Sequence, residues 1–174
     1  MRIAIKKLTI MALLTAAALI IFVIEAQIPL PIAVPGVKLG LANTVTLFAL
    51  FYSHGKERGA DSLTAVDALL ILICRIILGA FVTGRLVTLI YSLTGGLFAL
   101  VTQVLIKKIV TSRQIWVCGA IGAAFHNIGQ ITAAIVVTGT PSIVAYLPVL
   151  ILTGIVTGIV TGLVTQFVLD RFPR

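Results

Sequence analysis

LTIMALLTAAALIIFVIEAQI, residues 8–28, decides the fold class of this protein. The run has one charged residue, Glu25, and about 20 apolar residues are enough for a helix to cross a bilayer. A cleaved signal peptide is the competing interpretation. The run is long and lacks a convincing A-x-A cleavage site, which favours a retained helix.

Composition extends this conclusion to the whole chain. Of 174 residues, 60% are hydrophobic and 10% are charged, against roughly 45–50% and about 25% in soluble domains. A small soluble domain could not bury so much apolar surface. Six or so spans fill the length, which leaves no room for a soluble catalytic domain, and there is no G-x-x-x-x-G-K-[ST] motif. If transport is driven by ATP, a partner must supply the ATPase.

The apolar runs predict an all-α membrane protein with a single domain, residues 1–174. Six spans are expected, at about 8–28, 39–53, 63–80, 86–106, 115–138 and 142–169. The proline-rich stretch PLPIAVPGVK (29–38) forms a loop between the first two, because proline fixes φ and lacks a donor.

Basic residues predict the orientation. With the N-terminus inside, ten of the thirteen Lys and Arg residues are cytoplasmic: Arg2, Lys6, Lys7, Lys56, Arg58, Lys107, Lys108, Arg113, Arg171 and Arg174. The positive-inside rule therefore predicts a cell-membrane protein with both termini in the cytoplasm.

Polar residues inside the spans are candidate binding residues, because a charge at the bilayer centre costs at least ~2.5 kcal/mol. The candidate substrate-binding residues share the outer half of the bundle: Lys38, Asn43, Arg75, Arg85, His126, Asn127 and Gln130. His126 and Gln130 share a helix face. Glu25 lies at the same level, so the alternative is a structural Glu25–Arg75 ion pair with hydrogen bonds between helices.

The charge balance of this outer cluster favours an anionic ligand. Lys38, Arg75 and Arg85 face Glu25 alone, which leaves two net positive charges. Such a site suits a carboxylate, phosphate or phenolate. No metal or other cofactor is expected, since Cys74 and Cys118 lie inside apolar stretches and lack metal-ligand spacing. The basic residues lie between apolar stretches, as in membrane topology, so nucleic acid is not expected as a partner.

Small residues form a second pattern. Gly154, Gly158 and Gly162 make a double G-x-x-x-G motif that allows close helix packing, within the chain or with another subunit. Ala12 and Ala16 form an A-x-x-x-A pair in the first span. Asp67 lies at the inner end of the third span, where a capping or interfacial role is expected.

Four segments resemble a known family: GVKLGLANT (36–44), LGAFVTGR (78–85), SLTGG (92–96) and GAAFHNIGQ (122–130). They are similar, over nearly the whole chain, to the Gx transporter family, historically called heptaprenyl diphosphate synthase component I. That family resembles the S components of energy-coupling factor (ECF) importers, which have six helices and a pocket roofed by the first loop.

The resemblance implies three roles. Ala12 and Ala16 would dock onto a transmembrane coupling (T) subunit that carries two ATPase subunits, and residues 29–38 would cover the outer pocket. The protein would be an S component that binds a quinone or isoprenoid precursor, with a vitamin such as a flavin as another possibility. No enzyme activity is expected, because prenyltransferases use aspartate-rich DDxxD motifs and the three aspartates of this chain are not adjacent.

Two other functions stay open at this point. The protein could be a membrane accessory subunit of prenyl diphosphate or quinone biosynthesis, which a copurifying soluble prenyltransferase would indicate. It could also be a solitary carrier, for which only Glu25 and Asp67 offer carboxylates in the membrane. Uptake without any ATPase would indicate this third function.

Overall fold

All regular secondary structure in the described part of the chain is helical. The structure, a computed structural model, describes residues 2–28, 38–52, 62–84, 86–111 and 113–171. Its helices are α1 (Arg2–Glu25), α2 (Asn43–Phe51), α3 (Ala65–Thr83), α4 (Leu86–Ile106), α5 (Ile115–Thr138) and α6 (Leu147–Arg171), with a 3₁₀ helix at Pro141–Tyr146. All except α2 and the 3₁₀ helix are long and apolar enough to cross a membrane. The expected all-α membrane architecture is confirmed at this level.

Helices α1 and α3 run in the same direction. Near their starts, the Nζ atom of Lys7 lies 2.8 Å from the Oδ2 atom of Asp67. Near their ends, Phe22 packs against Gly79. We call the end with Lys7 and Asp67 the proximal end and the opposite end the distal end. Because α1 and α3 are parallel, the chain must return to the proximal end between them.

The expected span at residues 39–53 is wrong as a spanning helix. Helix α2 has nine residues, a rise of about 14 Å, against about 30 Å of hydrocarbon. It begins at the distal polar residues and ends beside Ile115 and Cys118, near the start of α5. Seven of its nine residues are buried, so protein rather than lipid surrounds this helix and it need not span the bilayer.

The five long helices form an open ring around α2. Helix α3 packs between α1 and α4, and α5 packs between α4 and α6, while α2 touches all five. Helices α1 and α6 make no contact in the described part of the chain. An apolar cleft of about 220 Å³ lies there, with Leu14, Phe48 and Val164 among its walls. The centre of the molecule is therefore occupied by a short helix that is accessible from one side.

The glycine motif of α6 packs inside the chain. A Cβ atom at Gly158 would lie 2.5 Å from the carbonyl oxygen of Gly119, and one at Gly162 would lie 2.5 Å from the Cα atom of Trp116. Small residues allow this close approach of α5 and α6, as in other membrane helix pairs. Of the two alternatives for this motif, the structure selects internal packing.

Asp67 has the expected capping role. Its Oδ2 atom accepts from the backbone N–H of Thr64, at 2.6 Å, and its own backbone N–H donates to the Oγ1 atom of Thr64. This reciprocal arrangement is a capping box, which satisfies donors at the start of α3. Asp67 therefore belongs to the proximal scaffold and not to the candidate site.

Candidate functional site

Six buried polar residues meet in the distal half of the bundle. We call them the distal polar cluster: Glu25, Lys38, Asn43, Arg75, His126 and Gln130. They come from α1, α2, α3, α5 and the non-helical segment that precedes α2. Five of the seven predicted site residues therefore lie together, and His126 and Gln130 share one face of α5.

A chain of hydrogen bonds links three helices through this cluster. The Nη2 atom of Arg75 donates to the Oδ1 atom of Asn43 at 3.1 Å. The Nδ2 atom of Asn43 lies 2.8 Å from the Nδ1 atom of His126. Because arginine can only donate, the amide oxygen of Asn43 must face Arg75 and its NH₂ group must donate to His126. The Nδ1 atom of His126 is then an acceptor, and the ring proton lies on Nε2.

The segment Lys38–Ala42 places non-helical backbone beside these side chains. Its backbone N–H groups donate to side chains: Lys38 to the Oε1 atom of Gln130 at 3.2 Å, Gly40 to the Oε1 atom of Glu25 at 2.5 Å, and Ala42 to the Oε2 atom of Glu25 at 3.4 Å. Such backbone is tolerated at membrane depth only when it is buried in protein or lines a cavity. Glu25 and Gln130 thus stabilise the entry into α2.

Gly40 and Gly95 make room for the His126 ring. A Cβ atom at Gly40 would lie 2.8 Å from the Cδ2 atom of His126, and one at Gly95 would lie 2.8 Å from its Cε1 atom. Gly40 also has φ of +80°, a left-handed conformation that glycine adopts without strain. The ring is therefore held between the 38–42 segment and α4.

Glu25 and Arg75 do not form the direct ion pair considered as an alternative. No salt bridge within 4 Å joins them in the described part of the chain, because the carboxylate of Glu25 faces the backbone N–H groups of Gly40 and Ala42. Two cations instead lie over the Phe22 ring. The Nζ atom of Lys38 is 3.4 Å from the ring centroid, and the Cζ atom of Arg75 is 5.6 Å away. Such contacts stabilise cations out of water.

Two buried nitrogen atoms of the cluster have no hydrogen-bond partner among the described residues. They are Nε of Arg75 and Nε2 of His126, on side chains that are 3% and 2% exposed. Leaving a buried donor unpaired costs about 1–3 kcal/mol. Both atoms are therefore buried donors whose hydrogen bonds the described part of the chain does not supply.

A cavity of about 210 Å³ adjoins the cluster at the distal end. Among the described residues, its walls are formed by Val23, Ala26, Gln27, Lys38 and Thr83. The cavity is partly open, and Lys38 belongs both to it and to the cluster. A small molecule could therefore approach the cluster from this end.

Two predicted site residues do not join the cluster in the described structure. Asn127 is buried on the side of α5 that faces α6, where its Nδ2 atom donates to the carbonyl oxygen of Leu150 and contacts Gly154. Its neighbour His126 points elsewhere because consecutive residues are 100° apart on a helix. Arg85 and residues 29–37 of the expected lid lie outside the described residues.

Sequence reasoning did not place Phe22, Gly40 or Gly95 in the site. Glycine and phenylalanine carry no charge, and both are common in membrane helices. Gly40 had one local signal, its position between a proline-rich loop and a helix start. Phe22 and Gly95 had none, because their importance depends on contacts with Lys38 and His126, which are distant in sequence.

A comparison with protein families gives a match over almost the whole chain. The family model described as heptaprenyl diphosphate synthase component I matches residues 14–168. The chain belongs to this family. The match to component I includes all six cluster residues and helices α2 to α5 in full. No characterised protein and no solved structure gave a significant match.

Proposed function

We propose that this protein is a membrane subunit that binds a small anionic molecule at the distal polar cluster. The proposed role is that of the S component of an ECF-type importer in the cell membrane, without a catalytic step. The observation that carries the proposal is a buried cluster with two cations, Lys38 and Arg75, and one carboxylate, beside a partly open cavity. Quinone or isoprenoid precursors with an acidic group are the proposed substrates.

The chemistry of the cluster supports an oxygen-rich ligand. Within the part of the chain that the structure describes, Arg75 and His126 each have a buried donor without a partner. Charged donors form short and strong hydrogen bonds with carboxylate and phosphate oxygens. A ligand that accepted from both would therefore remove the cost of leaving them unpaired.

The proposed direction of entry is from outside the cell. The starts of α1, α3 and α5 and the ends of α4 and α6 lie at the proximal end, where sequence order also puts most of the basic residues. The positive-inside rule then assigns the proximal end to the cytoplasm. The cavity at Lys38 would accordingly face outward.

We expect native mass spectrometry of the purified protein to find a retained small molecule. Its mass should correspond to a carboxylic acid, phenol or phosphate, since the cluster has an excess of donors and positive charge. Detection of only phospholipid, over several gentle purifications, would contradict the proposed function.

We also expect large residues at Ala12 and Ala16 to prevent assembly with a coupling subunit. Both alanines are exposed on α1, and small residues allow close approach of another membrane helix. The double variant Ala12→Leu, Ala16→Leu should copurify at least tenfold less of the coupling and ATPase subunits while ligand binding is unchanged. This could be measured by affinity purification with quantitative mass spectrometry.

The matched control for this experiment places large side chains on α4. Val101 and Leu105 are exposed and lie on a helix that does not touch α1. The variant Val101→Trp, Leu105→Trp should leave assembly unchanged. Normal assembly of the double leucine variant would show that α1 is not the docking surface.

The family name supports a second candidate function. Heptaprenyl diphosphate has an anionic head and a long apolar chain, and this protein has a cationic cluster and an apolar cleft of about 220 Å³ beside α2. The protein would then be a membrane accessory subunit of heptaprenyl diphosphate synthesis. The same purification separates the two functions, because a copurifying soluble prenyltransferase, without ATPases, would favour the accessory role.

A further inference from the structure

The carboxylate of Glu25 accepts hydrogen bonds from backbone N–H groups that could equally bind the anionic group of a ligand. Its two oxygen atoms accept from the backbone N–H groups of Gly40 and Ala42, at 2.5 and 3.4 Å. These two groups lie just before α2, and the N-terminus of a helix carries a partial positive charge that favours anions. Glu25 itself is only 4% exposed.

The surroundings of this carboxylate contain two cations and two buried donors that Glu25 does not engage. Lys38 and Arg75 lie over the same Phe22 ring. The unpartnered Nε2 atom of His126 is 3.0 Å from the position of a Cβ atom at Gly40, so it is close to the same segment. The unpartnered Nε atom of Arg75 is also buried. The carboxylate of Glu25 therefore leaves buried donors of this site without an acceptor.

Glu25 lies where its side chain could move away from the N–H groups of Gly40 and Ala42. It is the last residue of α1, and the next three residues form turns rather than regular helix. Ala26 and Gln27 line the cavity of about 210 Å³ together with Lys38. Beside the end of α1 there is therefore space that a displaced side chain or an incoming anion could enter.

We propose that the carboxylate of Glu25 competes with the ligand, because it occupies the site where the ligand's anionic group binds. A carboxylate or phosphate oxygen of the ligand takes the place of the Glu25 carboxylate at the N–H groups of Gly40 and Ala42. The cations Lys38 and Arg75 lie beside this anion-binding site. The inference rests on the proposed function, since it concerns how the same cluster binds its anion.

The test measures the dissociation constants of two simple probes, sodium diphosphate and sodium benzoate, by isothermal titration calorimetry. We expect Glu25→Gln to bind at least one probe about tenfold more tightly than the natural protein, because an uncharged amide oxygen is a weaker acceptor for the two backbone N–H groups than a carboxylate oxygen is. Glu25→Asp keeps the charge but lacks one methylene group. It should also bind more tightly, by about threefold or more, because its carboxylate reaches the two N–H groups less well.

The control is Asp170→Asn, which removes an exposed carboxylate at the proximal end and should leave both dissociation constants unchanged. Tighter binding by Glu25→Gln but not by Glu25→Asp would indicate a general charge effect and overturn the competition. Equal or weaker binding by both variants would overturn it as well. Either result leaves the proposed function standing if native mass spectrometry finds an anionic ligand. If neither the natural protein nor the variants bind a probe, the N–H groups of Gly40 and Ala42 do not form an anion-binding site, and the proposal is overturned.

Discussion

Replacing Arg75 with methionine is expected to weaken ligand binding by about thirtyfold or more. Arg75 is buried, donates to Asn43 and has a second nitrogen atom without a partner. In the proposed complex Arg75 pairs with the anionic group of the ligand, and truncating one partner of a buried, hydrogen-bonded charge pair costs about 2–5 kcal/mol. A difference of 1.4 kcal/mol corresponds to a tenfold change in affinity. The dissociation constant of the ligand identified by mass spectrometry is the quantity to measure.

Two further variants make this result specific. Arg171→Met removes an exposed arginine at the end of α6 and should leave affinity unchanged. Arg75→Lys keeps the charge but loses the planar, multiple donors of the guanidinium group, so binding should weaken to an intermediate degree. It is also the variant to use if Arg75→Met does not fold. Undiminished affinity in both Arg75 variants would assign this residue to the scaffold alone.

Replacing Gly158 with valine is expected to produce a large loss of stability. Its Cβ atom would lie 2.5 Å from the carbonyl oxygen of Gly119 and 2.8 Å from the Cα atom of Ala120. Both neighbours are backbone atoms that cannot change rotamer, so α5 and α6 would have to separate. Overpacking costs about 1–3 kcal/mol and occasionally more, and the rigid contact places this variant at or above the upper end.

Thermal unfolding in detergent would measure this effect. Val160→Leu is the matched control, because Val160 lies on the same helix with 55% of its surface exposed. Its unfolding temperature should stay within about 1–2 °C of the natural value, which is the shift expected for about 0.5 kcal/mol in a chain of this length. A similarly small change in Gly158→Val would contradict the close packing of α5 and α6.

The long helices could be predicted from the sequence because hydrophobicity over about 20 residues is a local property. Helices α3, α4, α5 and α6 lie close to the expected ranges. Helix α2 differs because a segment surrounded by protein has no need to match the bilayer thickness. Its apolar residues looked like a short span when only their composition was considered.

In the candidate site, too, some features could be predicted from the sequence and others depended on the surrounding helices. The shared depth of Arg75, His126 and Gln130 followed from counting residues along predicted helices, and the structure brings these three together. Asn127 has the same depth but faces α6. Depth along a helix can be read from sequence, whereas the direction in which a residue faces depends on where the neighbouring helices lie.

The sequence by itself determined that this is a helical membrane protein with long apolar spans and a polar level in one half. These properties depend on residues that are adjacent in the chain. Only the tertiary structure decided that α2 lies at the centre, that Gly158 packs against α5 and that Glu25 holds the N–H groups of Gly40 and Ala42. Each of these depends on contacts between residues far apart in the chain, which no local pattern records.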